Sequence, residues 1–318
     1  MTYSIMAGVL IKKYNVGIAT LKILACIGVI GNHFGRGLGI EVPTFVLMAF
    51  LLSSIPDDKN KLFERLRRLL LPFWFWGLVG LFIWPLTTDK HVDVPILIAR
   101  FVGQMILGSS LNSPLYFMFI IALLTAVFFF VQKYIYVWWL TSLFCLALIM
   151  QYTGINYEVC KFCPMGSYNV FGRILEFTPY AIMGIVLRTL KTKFFEFKRN
   201  WIMASILLFF MWFLSKNLMP MPLGFGYQGM PRFFLSLGIV ILAYGSGQHS
   251  SCDTLNHILI RMSLLTPGIY YSHRLVGDVM FKLYEVSCWW QRMIYVALVS
   301  GLLCVLLSKI KGLQRVVS

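Results

Sequence analysis

Apolar residues run along the chain in long stretches that short polar or basic segments separate. Most stretches have roughly 17 to 22 residues, the length that a helix needs to cross the hydrocarbon core of a bilayer. The pattern predicts an all-α fold, a polytopic integral membrane helical bundle of about ten transmembrane helices. The second and fifth spans are short for a full crossing. The predicted spans are 14–34, 42–55, 69–86, 114–132, 135–150, 174–190, 200–218, 229–246, 263–284 and 292–308.

The composition agrees with this pattern. Of the 318 residues 59% are hydrophobic and 13% are charged, and the mean hydropathy is +0.77. Soluble globular domains are less apolar and carry about twice that share of charge. No internal repeat, low-complexity tract or appended soluble domain is visible, so we expect one transmembrane domain over residues 1–318.

The basic residues indicate how the chain lies in the membrane. A net charge of +16 would suit a nucleic-acid partner, but the Lys and Arg residues fall mostly in alternate loops between spans. With the N-terminus inside, 17 of the 28 lie on the cytoplasmic side and 8 lie outside, as in the positive-inside pattern. Lys12 and Lys13 precede an apolar stretch as in a secretory signal, but no convincing cleavage motif follows Phe34, so we expect a retained first span. This predicts cytoplasmic termini, contact with membrane lipid and no nucleic-acid partner.

The cysteines add little chemistry. Four of the seven lie in or beside apolar spans, where a small buried hydrophobe is the ordinary interpretation. Cys160 and Cys163, in CKFC, fall in a loop expected outside, where a disulfide is permitted. A single CxxC with no second pair nearby is weak support for a zinc site, and no metal is predicted.

Two ionisable side chains, Lys22 and His33, lie in the first predicted span, LKILACIGVIGNHF (residues 21–34). Ionisable groups inside a membrane are costly and tend to be functional. Their spacing places both on nearly the same helix face, about 16 Å apart along the axis. Two ordinary explanations stay open. Lys22 could extend to the inner interface, and His33 could be capped or face water at the outer end.

A basic cytoplasmic segment enters the third span in RLRRLLLP, residues 65–72. Arg65, Arg67 and Arg68 would lie at the inner membrane surface, where arginine commonly serves as a topology signal or contacts anionic lipid. Guanidinium groups also bind phosphate oxygens in bidentate fashion. The segment is therefore a candidate phosphate clamp.

These residues, in this order, resemble the membrane-bound acyltransferase 3 family, which acylates extracytoplasmic glycans with cytoplasmic acyl-CoA. The family has Arg, ten residues, then His in its first span, and here Lys22 and His33 match that spacing. Its Arg-x-x-Arg before a proline matches Arg65, Arg68 and Pro72. Lysine in place of the first arginine keeps the charge but loses the planar fork. Other similar stretches are VPTFVLMAFLLSS (42–54), SPLYFMF (113–119), FTPYAIMGIVL (177–187) and SLLTPGIYYSHRLV (263–276).

The resemblance implies transfer of an acyl group from cytoplasmic acyl-CoA to a hydroxyl of an extracytoplasmic glycan such as a polysaccharide or lipopolysaccharide. Acetyl is the acyl group that we expect. The resemblance also implies a catalytic role for His33 and a role for Lys22, Arg65 and Arg68 in binding acyl-CoA. Histidine could take a proton from the acceptor hydroxyl, since its unperturbed pKa is about 6.5. It could instead accept the acyl group covalently. Acyl-CoA is the expected co-substrate, without a metal.

Two further residues are supporting candidates. His273 matches a histidine in the family's Gly-Ile-Tyr-x-x-His stretch. The spacing of Arg274 and Asp278 favours an ion pair, so His273 could also belong to a structural polar network. Glu41 lies near the outer boundary, where it could orient an imidazole or a sugar hydroxyl, or be an exposed carboxylate at a helix end.

Two other functions fit part of the pattern. A secondary transporter would also show ten spans and a few intramembrane charges, but such proteins tend to have inverted repeats with paired broken helices. No such symmetry is visible. An inactive relative that binds lipid or glycan is the second alternative, because lysine replaces the family's arginine at position 22.

Overall fold

Helices make up the part of the chain that the structure, a computed structural model, describes. Those residues are 15–33, 39–87, 93–107, 115–131, 170–218, 230–248, 253–284 and 288–317, and no strand occurs among them. The predicted all-α fold is confirmed. The helices are α1 (Val16–His33), α2 (Glu41–Leu52), α3 (Lys59–Thr87), α4 (Val94–Leu107), α5 (Tyr116–Val131), α6 (Val170–Glu196), α7 (Lys198–Leu218), α8 (Met230–Gly247), α9 (Asp253–Leu283), α10 (Trp289–Lys309) and α11 (Gln314–Val317).

Nine of the ten predicted spans coincide with one of these helices. In the described ranges α1, α3, α8 and α10 are long and apolar enough to cross a membrane, judged by length and composition. The fifth predicted span, 135–150, and the Cys160 and Cys163 pair lie outside the described residues. The count of ten stays a prediction.

The helix boundaries differ from the predicted spans in several places, and α9, for example, begins at Asp253, before the predicted residue 263. Helix α3 begins at Lys59 instead of residue 69, so Arg65 and Arg68 lie on a helix and not in a loop. Charged side chains on an exposed helix face do not interrupt helical hydrogen bonding, although they end an apolar run. Helix α4 occupies much of the predicted loop 87–113. Its 14 residues are too few for a full span, so a search for long apolar runs passes over it.

Helix α2 is buried along nearly its whole length. Nine of its 12 residues are buried, and it packs against α1, α5, α6 and α8. Twelve residues rise about 18 Å, which is less than the hydrocarbon thickness of about 30 Å. Helix α2 is therefore a short element that is largely internal, with its C-terminal residue Leu52 exposed.

Helix α9 joins the first and last parts of the chain. It packs against α1, α3, α10 and α11. The short C-terminal helix α11 returns to the bundle, where the Trp76 indole N–H donates to the Val316 carbonyl at 2.8 Å. Val316 and Val317 are buried there. These contacts hold α1 and α9 side by side although they are far apart in sequence.

Gly184 allows α6 to lie directly on α2. A Cβ at this position would come within 2.6 Å of the Leu47 carbonyl oxygen and within 2.8 Å of the Phe50 Cβ. Small residues permit such close approach of helix backbones in membrane proteins. The separation of α2 and α6 is therefore set by a glycine.

We expect Gly184→Ala to destabilise the bundle, because the new methyl group meets backbone atoms that cannot rotate away. Overpacking of this kind costs about 1–3 kcal/mol. Thermal unfolding in detergent, followed by tryptophan fluorescence, should show a lower Tm. Gly301→Ala is the matched control, since the nearest atom to its Cβ is Ile269 Cδ1 at 3.8 Å. Equal Tm values for the two variants would contradict the close packing of α2 and α6.

Candidate active site

Two imidazoles meet where α1 packs on α9. His33 is the last residue of α1, His273 lies within α9, and their ring centroids are 5.0 Å apart with the planes tilted by 48°. His273 is buried and His33 is half-buried. The two residues lie 240 positions apart in the sequence. The packing of the helices therefore joins the predicted catalytic histidine to a predicted supporting one.

The hydrogen bond of His273 defines its tautomer. Its Nδ1 lies 2.6 Å from the Tyr270 carbonyl oxygen. A carbonyl oxygen only accepts, so Nδ1 carries the hydrogen, and Nε2 of the neutral ring holds a lone pair. Nε2 is buried and has no hydrogen-bond partner in the described part of the chain. The site therefore contains an imidazole nitrogen that is able to accept a proton.

Arg274 and Asp278 form the ion pair that their spacing favoured, with 3.1 Å between Nε and Oδ1. His273 is not a member of this pair. It points to His33 and to the Tyr270 carbonyl instead. The Arg274 charge is still close enough to act on both imidazoles. Among the described residues, the predicted structural polar network is therefore the Arg274–Asp278 ion pair alone. His273 belongs to the candidate site.

Glu41 is buried against the last turns of α1 and is not an exposed carboxylate. Its side chain is 5% exposed, and its Oε2 accepts a hydrogen bond of 2.8 Å from the Asn32 amide. A Cβ on Gly28 would lie 2.6 Å from the Glu41 Cγ, so glycine makes room for this carboxylate. Asn32, which directly precedes His33, was missed in the sequence. A polar amide inside an apolar span was the available signal.

Aromatic side chains border the imidazole pair. The Tyr270 ring lies 5.8 Å from the His273 ring, 4.4 Å from the Phe117 ring and 5.6 Å from the Phe45 ring, measured between centroids. Such edge-to-face contacts stabilise a rigid apolar surface. This surface fixes the backbone carbonyl that orients His273.

Arg65 lies near the opposite end of α2 from Glu41. It is buried, its guanidinium carbon is 5.5 Å from the Phe50 ring centroid, and it donates a hydrogen bond to the Ser54 carbonyl. Arg68 is exposed one turn further along α3, and its charge repels that of Arg65. The two arginines of the predicted clamp are therefore neighbours, one inside the protein and one at its surface.

The site has two polar layers: an imidazole layer with His33 and His273, and an arginine layer with Arg65 and Arg68. The length of α2 separates them. Glu41 and Phe50 mark its two ends, and their spacing corresponds to about 14 Å of helical rise. Lys22 lies on α1, about 16 Å of rise from His33. It is half-buried and forms no hydrogen bond or ion pair with a residue that the structure describes. Among the described residues the Lys22 charge therefore has no counter-ion.

Comparison with known proteins identifies the chain. A family model described as an acyltransferase domain matches residues 15–309. The chain belongs to the acyltransferase 3 family. Together with the apolar helices, this makes the protein an integral membrane acyltransferase, which acts on an acceptor of the general glycan type. No curated protein and no solved structure gives a significant match.

The acyltransferase 3 match covers both layers of the site. It includes α1 with His33, α2 with Glu41 and the arginines of α3. No group of three or more His, Cys, Asp or Glu that could hold a metal ion occurs among the described residues.

We expect Asn32→Ala to lower the stability of the site, because the buried Glu41 carboxylate loses its amide donor. One hydrogen bond contributes about 0.5–1.5 kcal/mol net, and Glu41 keeps its other contacts. Thermal unfolding in detergent measures the change. Asn217→Ala is the control, since the Asn217 amide donates to the Phe213 carbonyl at 2.7 Å on an exposed face. A decrease in Tm no larger than that of Asn217→Ala would argue against a buried Asn32–Glu41 contact.

Proposed function

We propose that the protein transfers an acyl group from cytoplasmic acyl-CoA to a hydroxyl of an extracytoplasmic surface glycan, such as a polysaccharide or lipopolysaccharide. The proposed acyl group is acetyl. Membership of the acyltransferase 3 family supports acyl transfer. The observation that carries the assignment of the site is the contact of His33 with His273. In this proposal residues 1–318 form one domain in a bacterial inner membrane, with both termini in the cytoplasm.

Arg65, Arg68 and Lys22 are the proposed ligands of the donor. Acyl-CoA supplies an activated thioester together with phosphate groups that these cations recognise. No ion pair joins any of the three to a carboxylate of the described residues. Guanidinium groups match phosphate oxygens in geometry as well as in charge. The unpaired cations fit the donor, and they lie far enough from His33 to leave room for an extended ligand.

The imidazoles are the proposed proton acceptors. His33 takes the proton from the glycan hydroxyl as its oxygen bonds to the thioester carbonyl carbon, the carbon–sulfur bond then breaks, and the sulfur leaves and receives the proton. His273 holds its Nε2 lone pair next to this reaction and supports the charge change on His33. General base catalysis of this kind contributes about 10²- to 10⁴-fold in rate.

We expect His33→Ala to abolish most acyl transfer, with a loss of about 10²-fold or more. Mass spectrometry of surface glycans measures this in a strain that lacks the protein and is complemented with each variant. The mass that is lost identifies the acyl group and its acceptor. His257→Ala, a histidine near the start of α9, is the matched control and should restore the wild-type mass. Wild-type acylation by His33→Ala, at equal protein level, would remove His33 from catalysis.

The second histidine is tested by the double variant. If the imidazoles act as a unit, His33→Ala combined with His273→Ala will be no worse than His33→Ala alone, because residues that cooperate in one step are not additive. Losses that multiply would mean that His273 acts separately. A covalent route is tested by incubating the purified protein with acyl-CoA that carries a labelled acyl group, stopping the reaction, and searching for the label on His33.

We expect Lys22→Arg to preserve or raise activity, because arginine restores the planar fork that the family has at this position. Lys22→Ala should weaken acyl-CoA binding, since the cation is removed. Calorimetry measures the affinity of acyl-CoA for the purified wild type, Lys22→Arg and Lys22→Ala proteins. Equal affinity of the wild type and both variants would take Lys22 out of the donor site.

A further inference from the structure

A third arginine lies beside the two of the predicted clamp. Arg188 is half-buried near the C-terminal end of α6, and its Nη1 is buried with no hydrogen-bond partner among the residues described. Its charge acts on Arg65 together with the charge of Arg68. Helices α3 and α6 thus bring three guanidinium groups to the end of α2.

No carboxylate among the residues that the structure describes forms an ion pair with this arginine cluster, defined as Arg65, Arg68 and Arg188. The neighbouring Asp57 and Asp58 pair with Lys61 instead, at 2.8 Å and 3.3 Å. No ion pair within the described ranges reaches an arginine of the cluster. Like charges that are partly removed from water repel one another strongly, and buried charges normally have a partner. A bound anion would satisfy the cluster.

The arginine cluster is held in place by packing. Arg65 is fixed by the Phe50 ring and by the Ser54 carbonyl. Gly184 precedes Arg188 by four residues, so both project from one face of α6. Gly184 is pressed against Leu47 and Phe50, and this turns the Arg188 face of α6 to the same end of α2. The Arg65 side chain is therefore fixed before any ligand arrives, and the packing of α6 brings Arg188 to the same end of α2.

We propose that Arg188 binds phosphate oxygens of the acyl-CoA donor together with Arg65 and Arg68. This rests on the proposed function and adds a residue of α6 to the donor site. A carboxylate would carry one negative charge to three cations, whereas the phosphates of coenzyme A carry several. Arg65 is buried and Arg68 is exposed, so the cluster extends from the surface into the protein. An anionic lipid headgroup shares the phosphate chemistry and is the other source to be tested.

Binding of coenzyme A to the full chain in nanodiscs of phosphatidylcholine tests the proposal. We expect Arg188→Gln to weaken the affinity about tenfold, which corresponds to about 1.4 kcal/mol. Arg188→Lys should be intermediate, because the charge remains and the fork is lost. Arg199→Gln is the matched control, since Arg199 is an exposed cation at the start of α7, and it should bind coenzyme A as the wild type does. Unchanged Tm values establish that each variant is folded.

The outcomes separate the two proposals. If the wild type and Arg188→Gln bind coenzyme A equally, the role of Arg188 is wrong while the acyl-CoA donor stands. If the wild type binds no coenzyme A, the proposed donor is wrong and Arg188 falls with it. A second set of nanodiscs contains cardiolipin. If cardiolipin is retained by the wild type and lost from Arg188→Gln, with coenzyme A binding unchanged, the ligand is a lipid headgroup. If Arg188→Gln does not fold, the affinity of Arg188→Lys decides, and a wild-type value overturns the proposal.

Discussion

The packing of α6 on α2 at Gly184 is the contact on which the rest of the site depends. Helix α2 is too short to cross a membrane, and other helices cover nine of its 12 residues. The glycine lets the α6 backbone approach the Leu47 carbonyl and Phe50. The length of α2 sets the distance between the imidazoles and the arginines, which lie at its opposite ends, and the Gly184 contact holds α6 with Arg188 against this helix.

The two layers have different chemistry because the bundle treats their polar groups differently. At one end a carboxylate, an amide and two imidazoles lie together, and one imidazole nitrogen lacks a partner within the described chain. At the other end three arginines act on one another, and no ion pair among the described residues joins them to a carboxylate. Unsatisfied buried groups are costly, and they are expected where a ligand or a reaction uses them. The proposed transfer of an acyl group from a phosphate-bearing donor to a hydroxyl would use both kinds of layer.

The sequence predicted the helical class and most helix positions, because long apolar runs have few other stable outcomes in a bilayer. It also predicted Lys22 and His33 on one helix face, which follows from helical geometry alone. The start of α3 at Lys59 and the existence of α4 escaped it. A prediction based on apolar runs ends the helix at the first charged residues. The helix itself continues through charged residues whose side chains face outward.

Taken by itself, the sequence determined the all-α membrane class, the family motifs and the candidate residues His33, Lys22, Arg65 and Arg68. Only the tertiary structure decided which of them are neighbours. It placed the His273 ring next to the His33 ring and buried Glu41, which accepts a hydrogen bond from Asn32. It also placed Arg188 where its charge acts on Arg65. The physical reason is that helix propensity and hydropathy act within a few turns of chain. Contacts between distant helices depend on which faces fit together, as the small residue at Gly184 illustrates.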